Sequence, residues 1–132
     1  MLTNYEKEKV IDHLNGKTTY TLPAHLWWGV STSTPAVDGT GVTEPVGNGY
    51  ARVDAVGAAF AAASGDSAVN ASNITFPEAT GSWGTLTYIV AFDAESGGNL
   101  LRFGALDAPV EVTSGIFRIV AGDLAISITE PA

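Results

Sequence analysis

Two histidines, His13 and His25, are the only imidazoles in the chain, and cysteine is absent. A metal site would need carboxylates converging on them at ligand spacing, and no such spacing is present. Both read as ordinary surface or boundary residues. Asp93-Ala94-Glu95-Ser96-Gly97-Gly98-Asn99 begins like a calcium-binding EF-hand loop. Its fifth position is Gly97 rather than Asp or Asn, and Gly104 stands where the bidentate Glu belongs. The segment reads instead as a turn made from Asp, Ser and Gly. No serine sits in a G-x-S-x-G elbow, and nothing brings two carboxylates together for acid–base work. The expectation is therefore no catalytic, cofactor-binding or metal-ligating residue, no cofactor, and no enzyme. Asn70-Ala71-Ser72 and Asn73-Ile74-Thr75 match the glycosylation sequon. With no secretion signal at the start of the chain, that match reads as accidental.

The aromatic residues offer binding chemistry instead. Trp27, Trp28 and Trp83 could stack on pyranose faces. Trp27 and Trp28 are adjacent in a strand pattern, so they point to opposite faces. The reading is one tryptophan in the core and one, Trp27, at a subunit interface, where this residue type is enriched. Tyr50 and Arg52 follow Gly47-Asn48-Gly49, whose glycines permit backbone angles that other residues resist. They are expected to share a strand face, with the Arg52 charge paired or at an interface.

These residues must be positioned by a single domain of 132 residues, long enough to bury one core without staples. Six Lys and Arg against fourteen Asp and Glu give a net charge of −8. That balance disfavours nucleic acid and anionic membrane, both of which are bound chiefly through Lys and Arg. No apolar run is long enough to span a bilayer, and residues 1–16 lack the apolar stretch of a signal peptide. The expectation is a soluble protein made in a cytoplasm. High hydrophobic content with few charges suggests that a partner covers part of the surface.

Thr3 and Glu6 have the spacing of a capping box, and Gly16 sits where a C′ glycine would close the helix. Val10, Ile11 and Leu14 form a short apolar stripe along it. A helix this short is marginal unless docked, so a neighbouring subunit is expected to cover the stripe. After Gly16 the pattern turns to period two. Strands are expected at residues 26–32, 50–56, 74–76, 110–112, 117–120 and 124–128; the alanine-rich residues 58–63 fit a short helix or a strand, and the context favours a strand. Residues 33–48 form a long loop rich in Gly, Pro, Thr and Ser, of the kind that serves as an interaction arm. Residues 83–106 read as two strands joined by a glycine turn. In the first, Leu86, Tyr88, Val90 and Phe92 share one face, and Ile89 and Ala91 the other. With both faces apolar, this strand belongs in the middle of a sheet.

The order of the pieces carries more than any one of them. Leu26-Trp27-Trp28-Gly29-Val30-Ser31-Thr32 precedes a Gly/Thr loop, followed by Gly47-Asn48-Gly49-Tyr50-Ala51-Arg52 and Asn73-Ile74-Thr75-Phe76-Pro77. Thr80-Gly81-Ser82-Trp83-Gly84-Thr85, Phe92-Asp93-Ala94, Gly97-Gly98-Asn99-Leu100-Leu101 and Gly104-Ala105-Leu106 come next, then Ile119-Val120-Ala121-Gly122-Asp123-Leu124. From about residue 1 to 130 this resembles a family of small virion proteins of tailed bacteriophages, usually labelled tail fibre proteins. The resemblance implies a structural virion component that decorates a capsid, forms a collar at the neck, or makes the base of a fibre. Unlike a long fibre, the chain has no extended repeat and no distal receptor-binding domain.

The resulting expectation is a mostly-β chain, a jelly-roll-like β-sandwich with one short N-terminal α-helix. Residues 1–16 are the helical assembly element and residues 17–132 the single β-sandwich domain. Val10, Ile11, Leu14, Trp27, Tyr50 and Arg52 are the interface candidates. The expected partners are further copies of the chain, as a homotrimer, and other capsid, neck or tail proteins. The alternative is a carbohydrate-binding module of the adsorption apparatus, which requires an exposed Trp or Tyr beside polar groups in a concave surface.

Overall fold

The computed structural model describes residues 1–127. Among them one helix, α1 (Asn4–Leu14), precedes strands β1 (Trp27–Ser31), β2 (Val53–Asp54), β3 (Ser67–Val69), β4 (Ile74–Thr75), β5 (Gly84–Phe92), β6 (Leu100–Val112), β7 (Arg118–Ile119) and β8 (Ala125–Ser127). The chain is mostly β with one short N-terminal helix, and every strand pair is antiparallel. The main sheet has the order β2-β1-β5-β6, while β3-β8 and β4-β7 are two-stranded ribbons. The doubly apolar strand β5 lies inside the sheet, as its pattern requires.

Both faces of that sheet are covered. On one, Trp28, Val30, Ile89 and Ala91 join Ile74, Phe76, Ile119 and Leu124 of the ribbons and their turns in one buried cluster. The ribbons thus form a second β layer. On the other face, Val90, Phe92 and Leu100 are buried against Trp27, Val42 and Phe103. Val42 belongs to the long loop of residues 33–48, which lies back on the sheet. Thr32 N–H donates to the Thr43 carbonyl (2.9 Å), and Thr43 N–H donates to Ser31 Oγ (3.0 Å).

Two irregularities in β6 shape the rest. Between the pairs Tyr88/Ala105 and Leu86/Val110, β6 advances further than β5, so residues 106–109 bulge from the ladder. The slip moves Leu86 off the face of Val90 and Phe92 and into the cluster of Ile89 and Ala91, against strict alternation. At the other end, Ala91 pairs with Arg102 but Phe92 with Leu100, leaving Leu101 as an extra residue. The Leu101 side chain is fully buried. Thr3 N–H and Thr3 Oγ1 donate to the Leu101 carbonyl (2.9 and 3.0 Å), and Thr3 Oγ1 also lies 2.6 Å from the Leu100 carbonyl.

That contact overturns the capping box. Thr3 is the N-cap residue of α1, but its hydroxyl makes no cap bond, because the carbonyls at the β6 bulge hold it. Glu6 turns toward the sheet as well. It is buried and paired with Arg102 at 2.9 Å. Residues 1–3 extend the outer edge of β6, where Phe103 N–H donates to the Met1 carbonyl (2.9 Å) and the Met1 ammonium to the Phe103 carbonyl (2.7 Å). Edge strands left open invite foreign pairing, and here residues 1–3 cover the first part of the edge, at residues 101–103. Gly16 closes the helix as expected, at φ +70° with its N–H on the His13 carbonyl.

Other expectations shift at their ends. The strand of residues 50–56 contracts to β2. Residues 58–63 are not a strand: a short 3-10 turn, Gly57–Ala59, opens at a glycine with φ +63°, and only Phe60 bridges to Asn70. A run of alanines carries no β-branched side chain to favour a ladder. Residues 110–112 are the end of β6 rather than a separate strand, and β3 was not anticipated at all. The last expected strand appears as β8, with Ile128 outside the described residues.

Phe92 is buried on the loop-covered face. Phe92→Ala should cost about 3–5 kcal/mol, read as a lowered urea midpoint with an unchanged slope.

Candidate functional site

The densest polar cluster forms where the long loop crosses the sheet. Glu44 comes from that loop. Arg52 and Tyr50 come from the segment leading into β2. The Arg52 guanidinium clasps Glu44 with Nη2–Oε1 at 2.6 Å and Nε at 3.1–3.2 Å from both carboxylate oxygens. Its Nη1 donates to the Ala94 and Gly97 carbonyls, both at 2.8 Å. Its plane lies over the Phe92 ring, with Cζ 3.6 Å from the centroid. One side chain therefore ties the loop, the β2 approach and the β5–β6 turn together, and only 8% of it is exposed.

Tyr50 completes the cluster from the side. Its hydroxyl donates to Glu44 Oε2 (2.6 Å) and accepts from Val30 N–H (3.1 Å). Room for this comes from Gly29, where a Cβ would sit 2.5 Å from Tyr50 Oη and 2.9 Å from Glu44 Oε2. A glycine within an apolar strand marks a close approach of this kind. The ring packs edge-on against Trp83, with centroids 5.3 Å apart. Ahead of it, Gly47, Asn48 and Gly49 all have positive φ. The turn they make brings the Asn48 carbonyl to the Trp83 indole N–H (2.9 Å). A Cβ at Gly49 would meet the Glu78 carbonyl at 2.5 Å.

Burial raises the Tyr50 phenol above its ordinary range, reinforced by its bond to Glu44 and by that carboxylate's charge. Tyr20 is pushed up to about 12, first by burial and then by the charge of Glu6, whose Oε2 accepts its hydroxyl at 3.2 Å.

Of the six interface candidates, the structure brings Tyr50 and Arg52 together on Glu44. Trp27 is half-buried on the loop-covered face, opposite Asp54 and opposite Phe92, the ring on which Arg52 lies, and makes no hydrogen bond with Glu44. Val10 is half-buried, while Ile11 and Leu14 are exposed at 54% and 76%. His25 pairs with Asp54 at 2.6 Å on the surface, and His13 Nδ1 accepts from Tyr20 N–H. Asp93 serves the turn, accepting from Asn99 N–H and Nδ2 at 2.7 and 2.9 Å. Among the described residues, no three His, Cys, Asp or Glu side chains are grouped so as to hold a metal, and no helix is long and apolar enough to cross a membrane. Glu44 escaped the sequence reading. The glycine at 29, inside a strand that is otherwise large and apolar, was the available signal that something polar lies over it.

Polar groups spent on holding the chain's own segments, around an all-β core, define a structural domain. A family model described as podophage GP4 fiber I protein gp80 matches residues 1–127, and the chain belongs to this family of phage fibre proteins. It is thereby a structural component of the virion. No curated protein matches it.

Removing one partner of a largely buried ion pair leaves the other uncompensated. Arg52→Ala should therefore cost about 3 kcal/mol in denaturant melts. Arg52→Lys should recover only part of this, because an ammonium cannot clasp a carboxylate and two carbonyls in one plane. The raised phenols set a second expectation. The folded chain holds these protons more tightly than the unfolded chain, so stability is full below about pH 10, the ordinary tyrosine value, and falls as pH rises through about 12. Urea midpoints taken across that window should decline steadily.

Proposed function

We propose that the chain is a non-enzymatic building block of the fibre, self-associating through the outward face of α1 and docking on neighbouring capsid, neck or tail proteins. The observation that carries this reading is the mismatch between the two ends of the helix. Its first turn is fastened to β6 by Thr3 and Glu6. Its C-terminal half presents Ile11 and Leu14 to solvent. A helix held in place by polar contacts near its start has no internal use for two large aliphatic side chains left exposed beyond them, and such side chains are the usual anchors of an interface core. A homotrimer is the assembly we favour, with the fibre base as its place in the particle. Collar and capsid decoration are the other placements. Trp27, half-buried in the ladder between β2 and β5, remains a further candidate.

Deleting the helix would be a poor test, since residues 1–3 and Glu6 also complete the chain's own sheet. Ile11→Glu with Leu14→Glu leaves those contacts intact. The double variant should keep the circular dichroism spectrum and melting temperature of the parent. It should sediment as a monomer where the parent sediments as a trimer, and should be missing from purified virions. Normal incorporation of the double variant would overturn the assembly role.

A further inference from the structure

A third face of α1 is used for neither purpose. Tyr5, Lys9 and Asp12 stand at i, i+4 and i+7 and so share one side of the helix. Residues 18–23 fold back beside them, and with Asp93 they bound an open cleft of about 520 Å³. The returning segment is firmly placed. Lys17 N–H (2.8 Å) and Thr18 N–H (3.3 Å) reach the Asp12 carbonyl, and Tyr20 is held at both ends, its N–H on His13 Nδ1 (3.1 Å) and its hydroxyl on Glu6. The wall carrying the second aromatic ring is therefore pre-organised, which lowers the ordering cost of binding.

The chemistry of the lining is specific. The Lys9 ammonium lies 4.9 Å from the Tyr5 ring centroid and 5.9 Å from that of Tyr20. Two electron-rich ring faces thus look onto the same space, and such faces attract polarised C–H groups as they attract a cation. Asp12 and Asp93 supply carboxylate acceptors, and a carboxylate has room for several donors, so the two bonds from Asn99 leave Asp93 with capacity. Thr19 adds a hydroxyl that donates or accepts. Two carboxylates against one ammonium disfavour an anionic ligand. The polar lining disfavours an apolar peptide. Ring faces beside hydroxyl-binding groups suit a molecule with an apolar C–H face and a rim of hydroxyls. We propose that this cleft binds a neutral pyranose sugar, stacked on Tyr5 and Tyr20, with Asp12 and Asp93 accepting from its hydroxyls and Lys9 moving aside to donate to one.

The test is an amide NMR titration of the labelled full chain with maltose, cellobiose and chitobiose, and with digalacturonate as the anionic comparison. At least one neutral disaccharide should give saturable shifts concentrated at residues 17–21 and 93. Tyr5→Ala should weaken that binding about tenfold, and Asp12→Asn likewise. Asp12→Asn keeps the question answerable if Tyr5→Ala perturbs the helix, because its backbone carbonyl contacts are unchanged. Digalacturonate should bind more weakly. The proposal is overturned if no neutral disaccharide gives saturable shifts, if the shifts lie elsewhere, if neither variant weakens them, or if digalacturonate binds more tightly. The readout is independent of oligomeric state, so a negative result here leaves the assembly role of Ile11 and Leu14 untouched.

Discussion

The carboxylate of Glu44 is where the architecture converges. It sits over Gly29 and receives Arg52 and Tyr50. Through Arg52 it is connected to the turn between β5 and β6, and through Tyr50 to the backbone of β1. A loop of residues 33–48 with few hydrophobic side chains could not cover a sheet face by apolar burial. Beyond Val42 and the bonds of Thr43 to β1 and Thr32 it is fixed by charge, and the charge is tolerated because the guanidinium has an aromatic face beneath it and carbonyls at its other end. A pair so placed adds little net stability over an apolar alternative but penalises any other arrangement of the loop. Its contribution is to specify one path for the chain.

The same economy governs the helix. An amphipathic helix ordinarily docks by its apolar stripe. Here the sheet offers α1 two carbonyls freed by the extra residue Leu101, and the cation of Arg102. Thr3 and Glu6 meet them. Docking by polar groups is directional, so the rotation of the helix about its own axis is fixed. Ile11 and Leu14 lie beyond these contacts, toward the C-terminal end of the helix, and stay exposed. The apolar stripe that would ordinarily seat the helix is thus left to the assembly role proposed above.

Much of this was legible in the residues, and the limits have physical causes. The pairing of β5 and β6 followed from two apolar runs around a Gly-Gly-Asn turn, a local signal that needs no knowledge of the rest. The helix followed from its caps and period. The use made of Thr3 and Glu6 did not follow, because it depends on a bulge in β6 nearly a hundred residues away. Alternation predicted the face of Val90 and Phe92 but failed at Leu86, where β6 slips. Tyr50 and Arg52 stood out by following three residues suited to positive φ, whereas Glu44 lay in a loop with no period to interpret. Strands of two or three residues, such as β3, are held by their partners rather than by propensity, and composition does not reveal them.

The bond between Thr3 and Leu101 also bears on how the molecule comes into being. The residues it joins are 98 apart in sequence, and nothing nearer can replace the β6 edge as the seat of the helix. Contacts of such long range slow folding, because the entropy of closing the loop is lost before the contact returns anything. During synthesis at about 5–20 residues per second, the first turn of the helix must wait for residue 101 to be made before it can be seated. Until then Ile11 and Leu14 are carried on an unanchored peptide. The surface proposed above for a neighbour therefore takes its place in the molecule only when β6 has formed.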